Sequence, residues 1–238
     1  NKETLVLAGE YVMAAAHRSK GRLLPVDSEH NAIFQCLEGN RDRHHLRRIL
    51  LTASGGPFLH HTAAELAEVT CEEALRHPNW EMGPKVTIDS ATMANKGLEM
   101  IEAKWLFNLE PDQVEVVIHP QSIIHSMVEF LDGSVLAQMA PPSMTFPIQH
   151  VLGWPDRLEP CHESLDFTRI QQLELRPPDL EKFSCLRLAR KALEAGGLAP
   201  AIFNAANEAA VAAFLECRIR FQDIPRLIFR ATIRRNMG

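Results

Sequence analysis

The residues best suited to do chemistry fall in a few short stretches. In Asp27-Ser28-Glu29 two carboxylates are separated by a single residue. On an extended chain that spacing puts both on the same side. Paired carboxylates with nothing basic adjacent in sequence repel each other unless a cation lies between them, and hard oxygen donors suit Mg2+ or Mn2+. The alternative is that Asp27 or Ser28 caps a helix over His30–Leu37, with Glu29 in its first turn. A third carboxylate, such as Glu99, is needed to favour the metal.

That third carboxylate belongs to the stretch from Gly83 to Phe107. Val86 and Ile88 alternate with Lys85, Thr87 and Asp89, which predicts a strand. Ser90 or Thr92 then caps a helix in which Ala94, Leu98, Ile101 and Trp105 form the buried stripe. Ser90, Asn95 and Lys96 crowd its first turn, where free backbone N–H groups and the helix dipole favour an anion. Glu99 sits one turn deeper, on the side of Asn95. The plain alternative is a capped helix with a solvated polar face. Against it, Asn95 and Lys96 oppose the dipole preference for acids, and Gly97 costs about 1 kcal/mol relative to alanine. An anion site beside a carboxylate suits a phosphorylated substrate held against a metal ion.

Other stretches add pieces. Arg48–Thr52 reads as a buried strand running into Ala53-Ser54-Gly55-Gly56-Pro57, small residues that let amides approach an oxyanion, or a plain turn. Residues 76–83 form a loop through Pro78. Its Trp80 and Met82 suit either a satellite core or a lid, and His77 at its base is either a phosphate donor or a satisfied loop histidine. His44 and His45 lie in a charged, loop-like stretch, and His60 and His61 receive no role.

The elements that position these residues follow from periodicity. Residues 1–18 read as a helix interrupted at Gly9, and Thr62–Leu75 as an amphipathic helix. Gln113–His119 reads as a strand, and 126–130 with 134–139 as a hairpin around Leu131-Asp132-Gly133. Three prolines in 140–147 and four in 153–178 mark a linker with few long elements. Helices follow over Ser184–Ala195 and Pro200–Cys217, with one more to the end. That last helix ends at Arg234–Gly238 with no evident partner, so the bundle is expected to be cut short. The fold class expected is α+β or α/β: a mixed sheet with packed helices, then a linker and a truncated helical bundle.

A chain of 238 residues can bury a sizeable core in more than one domain. A net charge of −5 gives no reason to expect nucleic acid, and no apolar run is long enough to span a bilayer. Five scattered cysteines without a Cys-x-x-Cys pair fit reduced thiols in a cytosol-like compartment and argue against structural zinc. The chain opens on Asn1-Lys2-Glu3 without a methionine or a signal peptide, and is expected to be part of a longer protein.

Seven motifs, in order and spread over nearly the whole chain, carry a resemblance. They are Asn1-Lys-Glu-Thr-Leu-Val6, Leu24-Pro-Val-Asp-Ser-Glu-His-Asn31, Ser54-Gly-Gly-Pro-Phe58, His77-Pro-Asn-Trp-Glu-Met-Gly83, Asp89-Ser-Ala-Thr-Met-Ala-Asn-Lys-Gly-Leu-Glu99, Ile118-His-Pro-Gln-Ser122 and Asn204-Ala-Ala-Asn-Glu208. The chain resembles the 1-deoxy-D-xylulose 5-phosphate reductoisomerase family of the non-mevalonate isoprenoid pathway. The resemblance implies that Asp27, Glu29 and Glu99 hold Mg2+ or Mn2+, with Co2+ also admissible. It implies that Ser54, His77, Ser90, Asn95 and Lys96 contact substrate and phosphate. Lys2 and Ser28 match contacts to the substrate's oxygenated carbons, Trp80 with Met82 a mobile flap, and Asn1, Glu3 and Gly83 contacts to NADPH.

The implied chemistry is a metal-assisted rearrangement followed by hydride transfer, giving 2-C-methyl-D-erythritol 4-phosphate. The implied division is the end of an NADPH-binding domain (1–27), a metal- and substrate-binding domain (28–147), a linker (148–173) and a truncated helical domain (174–238). The implied state is a cytoplasmic homodimer, or a plastid protein where a transit peptide precedes it, with no nucleic acid or membrane partner. The family's nucleotide-binding domain with its glycine-rich turn is not in this chain, so binding without turnover is the alternative reading for it. Ser143 and Thr145 stand where the family usually has Asp and Arg.

Overall fold

The structure is a computed structural model and describes residues 1–39, 45–170 and 172–233. Its sheet has strands β1 (Leu46–Ala53), β2 (Val114–Ile118), β3 (Ile124–Phe130) and β4 (Val135–Met139), in the order β2-β1-β3-β4. β1 pairs parallel with β2 and antiparallel with β3, and β3 pairs antiparallel with β4. All seven residues of β3 are buried, whereas Val135, Leu136 and Ala137 of the edge strand β4 are exposed. The expected hairpin turns through Gly133 at φ 85°, a left-handed value that favours glycine.

The helices among the described residues are α1 (Lys2–Ser19), α2 (Ser28–Leu37), α3 (Cys71–Ala74), α4 (Pro84–Ala91), α5 (Ala94–Phe107), α6 (Thr145–Gly153), α7 (Ser184–Ala195), α8 (Ala199–Leu215) and α9 (Asp223–Ile233). The mixed sheet with packed helices and a following helical bundle is the architecture expected from the sequence. Helix α5 is its centre. Ala94, Leu98 and Ile101 are fully buried, and α5 packs on α1, α4, α7 and the sheet. Trp105 is only partly buried; its ring lies where a Cβ on Gly9 would stand, 2.2 Å from the nearest ring atom, beside the break in α1 at Ala8. At Gly97 a Cβ would come 2.4 Å from that of Ala189, so this glycine lets α5 and α7 touch.

Four expectations need correction. The strand expected over 85–89 is helix α4. Pro84 sits in its first turn after Gly83, and Thr87, Ile88 and Ala91 are buried at helical spacing. Five alternating residues fit both periods, and packing against α5 and α8 selects the helix. The expected helix over 62–75 is instead a 3-10 turn at Glu65–Ala67 and the single turn α3. Glu65 accepts hydrogen bonds from Thr62 N and Oγ1, and Glu73 from Thr70 N and Oγ1, so each Thr-x-x-Glu closes on itself. The linker is interrupted by α6, with Pro147 near its start. Lastly, α9 has partners: Ile224 and Ile228 are fully buried, and α9 packs on α8 and α7. Residues 234–238 and His44 lie outside the described residues.

Candidate active site

Helix α2 starts at Ser28, with Asp27 as its cap residue but without a capping side-chain bond. The cap reading therefore leaves the Asp27 carboxylate free to face elsewhere. It faces α5 and α1. Oxygens of Asp27, Glu29 and Glu99 lie within 4.8 Å of one another. Glu99 is 1% exposed. Two ammonium groups meet these carboxylates. Lys2 Nζ lies 2.8 Å from Asp27 Oδ2 and 3.2 Å from Glu99 Oε1, and donates to Asn95 Oδ1 at 2.8 Å. Lys96 Nζ lies 2.8 Å from Glu29 Oε1 and also bonds Glu99 Oε2. With all three carboxylates ionised, the two ammoniums leave one negative charge uncompensated.

The titration of the cluster follows from this. Burial works against the charged form of every member. For Glu99, burial together with the Glu29 charge wins, and its carboxyl is pushed up to about 7. For Asp27, the Lys2 ammonium and then His30 overcome burial and hold it below the usual carboxylate range. For both lysines burial is outweighed by the carboxylates, so they stay protonated. Converging hard oxygens with an excess negative charge fit a divalent cation of the Mg2+ or Mn2+ type.

The cluster forms one wall of a cleft of about 340 Å3. Lys2, Asp27, Ser28, Glu29, Ser54, His77, Trp80, Gly83, Ser90, Asn95, Lys96 and Glu99 all line it. Asn1 and Glu3 do not. Asn1 caps α1, accepting from Thr4 N at 3.1 Å, and Glu3 Oε1 pairs with Lys85 Nζ at 3.2 Å. Lys96, expected at the anion, lines the cleft and in this structure bonds Glu29 and Glu99. Of the two caps expected for α5, Thr92 supplies the side-chain oxygen, its Oγ1 accepting from Ala94 N at 3.3 Å, although Met93 takes the left-handed cap position at φ 62° and Ser90 lies inside α4.

Across the cleft, the loop 76–83 is tied down at its base. His77 Nδ1 accepts from Trp80 N at 2.9 Å and Asn79 N at 3.2 Å. The proton is then on Nε2, which donates to Ser54 Oγ at 3.0 Å. Burial lowers the His77 pKa to about 4, so the ring is neutral at pH 7. Asn79 Nδ2 bonds the Pro120 carbonyl at 2.6 Å, and Trp80 meets the His125 ring edge-on at 6.2 Å between centroids.

Residues 23–107 match the family described as 1-deoxy-D-xylulose 5-phosphate reductoisomerase C-terminal domain, and residues 139–236 match the DXP reductoisomerase C-terminal domain. The chain belongs to the 1-deoxy-D-xylulose 5-phosphate reductoisomerase family. The reductoisomerase of Methylococcus capsulatus is 60% identical over 233 residues, covering 96% of this chain and 59% of its own length. That of Heliobacterium modesticaldum is 59% identical, covering 97% and 59%. A crystal structure of DOX-P reductoisomerase in complex with NADPH, fosmidomycin and magnesium superposes with a TM-score of 0.94 at 45% identity, over 98% of this chain and 59% of that one. The Zymomonas mobilis reductoisomerase in complex with NADPH superposes at 0.90 with 52% identity, over 97% and 59%. The chain thus spans about three-fifths of the length of these relatives.

Within the reductoisomerase fold the structure adds residues that sequence reasoning missed. Ser122, His125 and Met144 also line the cleft. Burial lowers the His125 pKa, and its Nε2 lies 3.2 Å from the Ala140 carbonyl. Ser143 Oγ donates to Thr145 Oγ1 at 3.0 Å and accepts from Thr145 N at 3.2 Å, a tight turn that carries Met144 between them. Beneath the carboxylates, buried His30 bonds the Glu99 carbonyl through Nε2 at 2.9 Å, and its Nδ1 lies 3.5 Å from Glu102 Oε2. Nothing in the local sequence marks His30 or Glu102, because both face the interior of a helix pair. Among the described residues no helix is long and apolar enough to cross a membrane.

Proposed function

We propose that this chain carries the metal- and substrate-binding part of a reductoisomerase that converts 1-deoxy-D-xylulose 5-phosphate into 2-C-methyl-D-erythritol 4-phosphate with NADPH. The observation that carries the reading is the convergence of Asp27, Glu29 and Glu99 within 4.8 Å at one wall of the cleft. In this reading those three residues hold Mg2+ or Mn2+. The ion, when bound, supplies Lewis acidity to the substrate's oxygens. Ser54, His77, Ser90, Asn95 and Lys96 take substrate and phosphate, with Lys2 and Ser28 at its oxygenated carbons. His77 acts as a neutral donor, and its Nε2–H sets the direction of the Ser54 hydroxyl. Trp80 with the rest of the loop 76–83 covers the cleft and excludes water.

Asn1, Glu3 and Gly83 supply contacts on the nicotinamide side. The same reading assigns residues 1–27 to the end of a nucleotide-binding domain, 28–147 to the site domain, 148–173 to a linker and 174–238 to a helical domain. It also pairs two copies into a homodimer through the sheet, which the exposed edge of β4 supports. The relatives extend beyond this chain, which spans about three-fifths of their length. In this reading the 238 residues hold the metal and substrate groups but only Asn1, Glu3 and Gly83 of the NADPH contacts, so in the isolated 238-residue chain binding and turnover separate.

The test uses the 238-residue chain. Calorimetry should show Mn2+ binding, and fosmidomycin binding that depends on Mn2+, with no NADPH oxidation above background. Fosmidomycin binding that ignores the metal would overturn the site reading. Measurable turnover would overturn the separation.

A further inference from the structure

Helix α8 is rich in alanine, yet Asn207 within it is fully buried. Its Nδ2 donates to Asp89 Oδ1 at 2.7 Å. Asp89, itself 1% exposed, lies on α4, where its Oδ2 is 2.9 Å from Lys85 Nζ. Lys85 Nζ in turn lies 3.2 Å from Glu3 Oε1 on α1. One polar chain, Glu3–Lys85–Asp89–Asn207, therefore ties three helices together behind the cleft.

Asn207 Oδ1 has no hydrogen-bond partner. A buried amide oxygen left unpaired is a net cost to stability, and alanine would suit the helix better. What Asn207 provides is a fixed place for Asp89. The next residue, Ser90, lines the cleft, and α4 begins where the loop 76–83 ends, at Gly83. On the other side of Ser90, Gly56 at φ 67° lies so close that a Cβ would stand 2.8 Å from the Ser90 carbonyl oxygen. Ser90 thus packs against the Gly55-Gly56 turn, while Asp89, the residue before it, is tied to Asn207. The carboxylates Asp27, Glu29 and Glu99 lie at the start of α2 and on α5, and meet the tie only through α1, where Lys2 beside Glu3 pairs with Asp27 and Glu99.

We propose that Asn207 is a positioning residue for the anion-binding part of the cleft: by fixing Asp89 it sets the placement of Ser90 from the helical bundle. This rests on the reading of the cleft given above. Its signature is selective. Losing the tie should weaken recognition of an anionic group and leave the metal centre alone.

The variants are Asn207→Ala, which removes the donor and keeps a good helix former, and Asn207→Asp, which sets a second carboxylate against Asp89. In the 238-residue chain three affinities are measured: Mn2+, and, with Mn2+ present, the phosphonate-bearing hydroxamate fosmidomycin and phosphate-free acetohydroxamate. Amide hydrogen exchange over residues 87–91 and 98–102 is followed without ligand. Both variants should lose tenfold or more in fosmidomycin affinity, with the other two affinities within twofold of wild type. Exchange should quicken in α4 and not in α5. Fosmidomycin affinity within twofold of wild type overturns the proposal, as does a parallel fall of all three affinities, which a merely structural role would give. Failure of the wild-type chain to bind fosmidomycin would instead defeat the functional reading. The exchange comparison then decides the positioning role alone, and unchanged exchange in α4 overturns it.

Discussion

Glu99→Gln keeps the shape of the side chain and removes its charge, and the structure gives both the sign and the size of the result. Glu99 faces Lys2, Lys96 and Glu29 in a cluster with one negative charge too many. Burial first, and the Glu29 charge next, push its carboxyl from an ordinary 4.5 up to about 7. Below pH 4.5 Glu99 is protonated in both folded and unfolded chains and has no effect on stability. As pH rises from 4.5 to 7 the unfolded chain ionises it freely while the fold resists, so the fold loses stability. Above 7 the whole penalty is present, about 3 kcal/mol at about 1.36 kcal/mol per pH unit.

The Glu99→Gln variant would escape that penalty, and two ammoniums would then face two carboxylates. The new amide would also present one NH2 group where Glu99 now accepts from Lys2, Asn95 and Lys96, which offsets part of the gain. The expected gain without metal at pH 8 is therefore about 1–3 kcal/mol, shrinking to nothing near pH 4.5. The assay is urea unfolding in EDTA at both pH values, with Mn2+ calorimetry beside it. Mn2+ affinity should fall tenfold or more. A variant less stable than wild type at pH 8 would refute the charge argument, and unchanged Mn2+ affinity would remove Glu99 from the ligand set.

Lys96→Ala should act in the opposite direction, because Glu29 and Glu99 would then face each other without the ammonium. The metal-free chain should lose about 3–5 kcal/mol, and saturating Mn2+ should return much of it; melting curves with and without Mn2+ decide, and an unchanged metal-free Tm refutes it. Ser90→Ala should weaken fosmidomycin by roughly 1.5–3 kcal/mol and spare acetohydroxamate. Equal losses for both ligands would take Ser90 away from the anion. His77, held down to about 4 by burial, stabilises the fold fully above the ordinary histidine value of 6.5 and loses that contribution as pH falls toward 4. His77→Gln should flatten this part of the pH profile, read as urea midpoints at pH 7.5 and 4.5, and an unchanged slope would show that the ring titrates normally.

The elements legible in the sequence are those with one buried face and clear ends. Strand β1, the hairpin of β3 and β4, and helices α2, α7 and α8 lie where periodicity and turn residues put them. Helix α4 is not legible, because five alternating residues fit a strand and only the packing of Thr87, Ile88 and Ala91 against neighbouring helices shows otherwise. Residues 62–75 carry a helical pattern, but Thr62 and Thr70 each recruit a glutamate three residues on and stop the helix after a turn. At the site, Asp27 and Glu29 alone leave a metal and a helix cap both open, and the full set with Glu99 comes from the resemblance. Their convergence depends on α2 and α5 meeting side by side, which no local pattern contains. The direction of Lys96 is not legible for the same reason: a lysine in a first helical turn reads as an anion contact until Glu29 arrives from another helix.

Helix α5 shows why sites of this kind hide from periodicity. It is buried on almost every side, so Lys96, Glu99 and Glu102 are as inaccessible as Leu98 and Ile101. A helix covered all round has no solvated face to which its charges can be assigned. The amphipathic reading, which puts Glu99 on the side of Asn95, therefore finds a real polar stripe whose partner is a set of buried side chains rather than water. Burying charge is expensive unless it is paired, and here the pairing is incomplete by one negative charge. That excess charge, in a helix buried on almost every side, is the physical argument that favours a cation at this cluster.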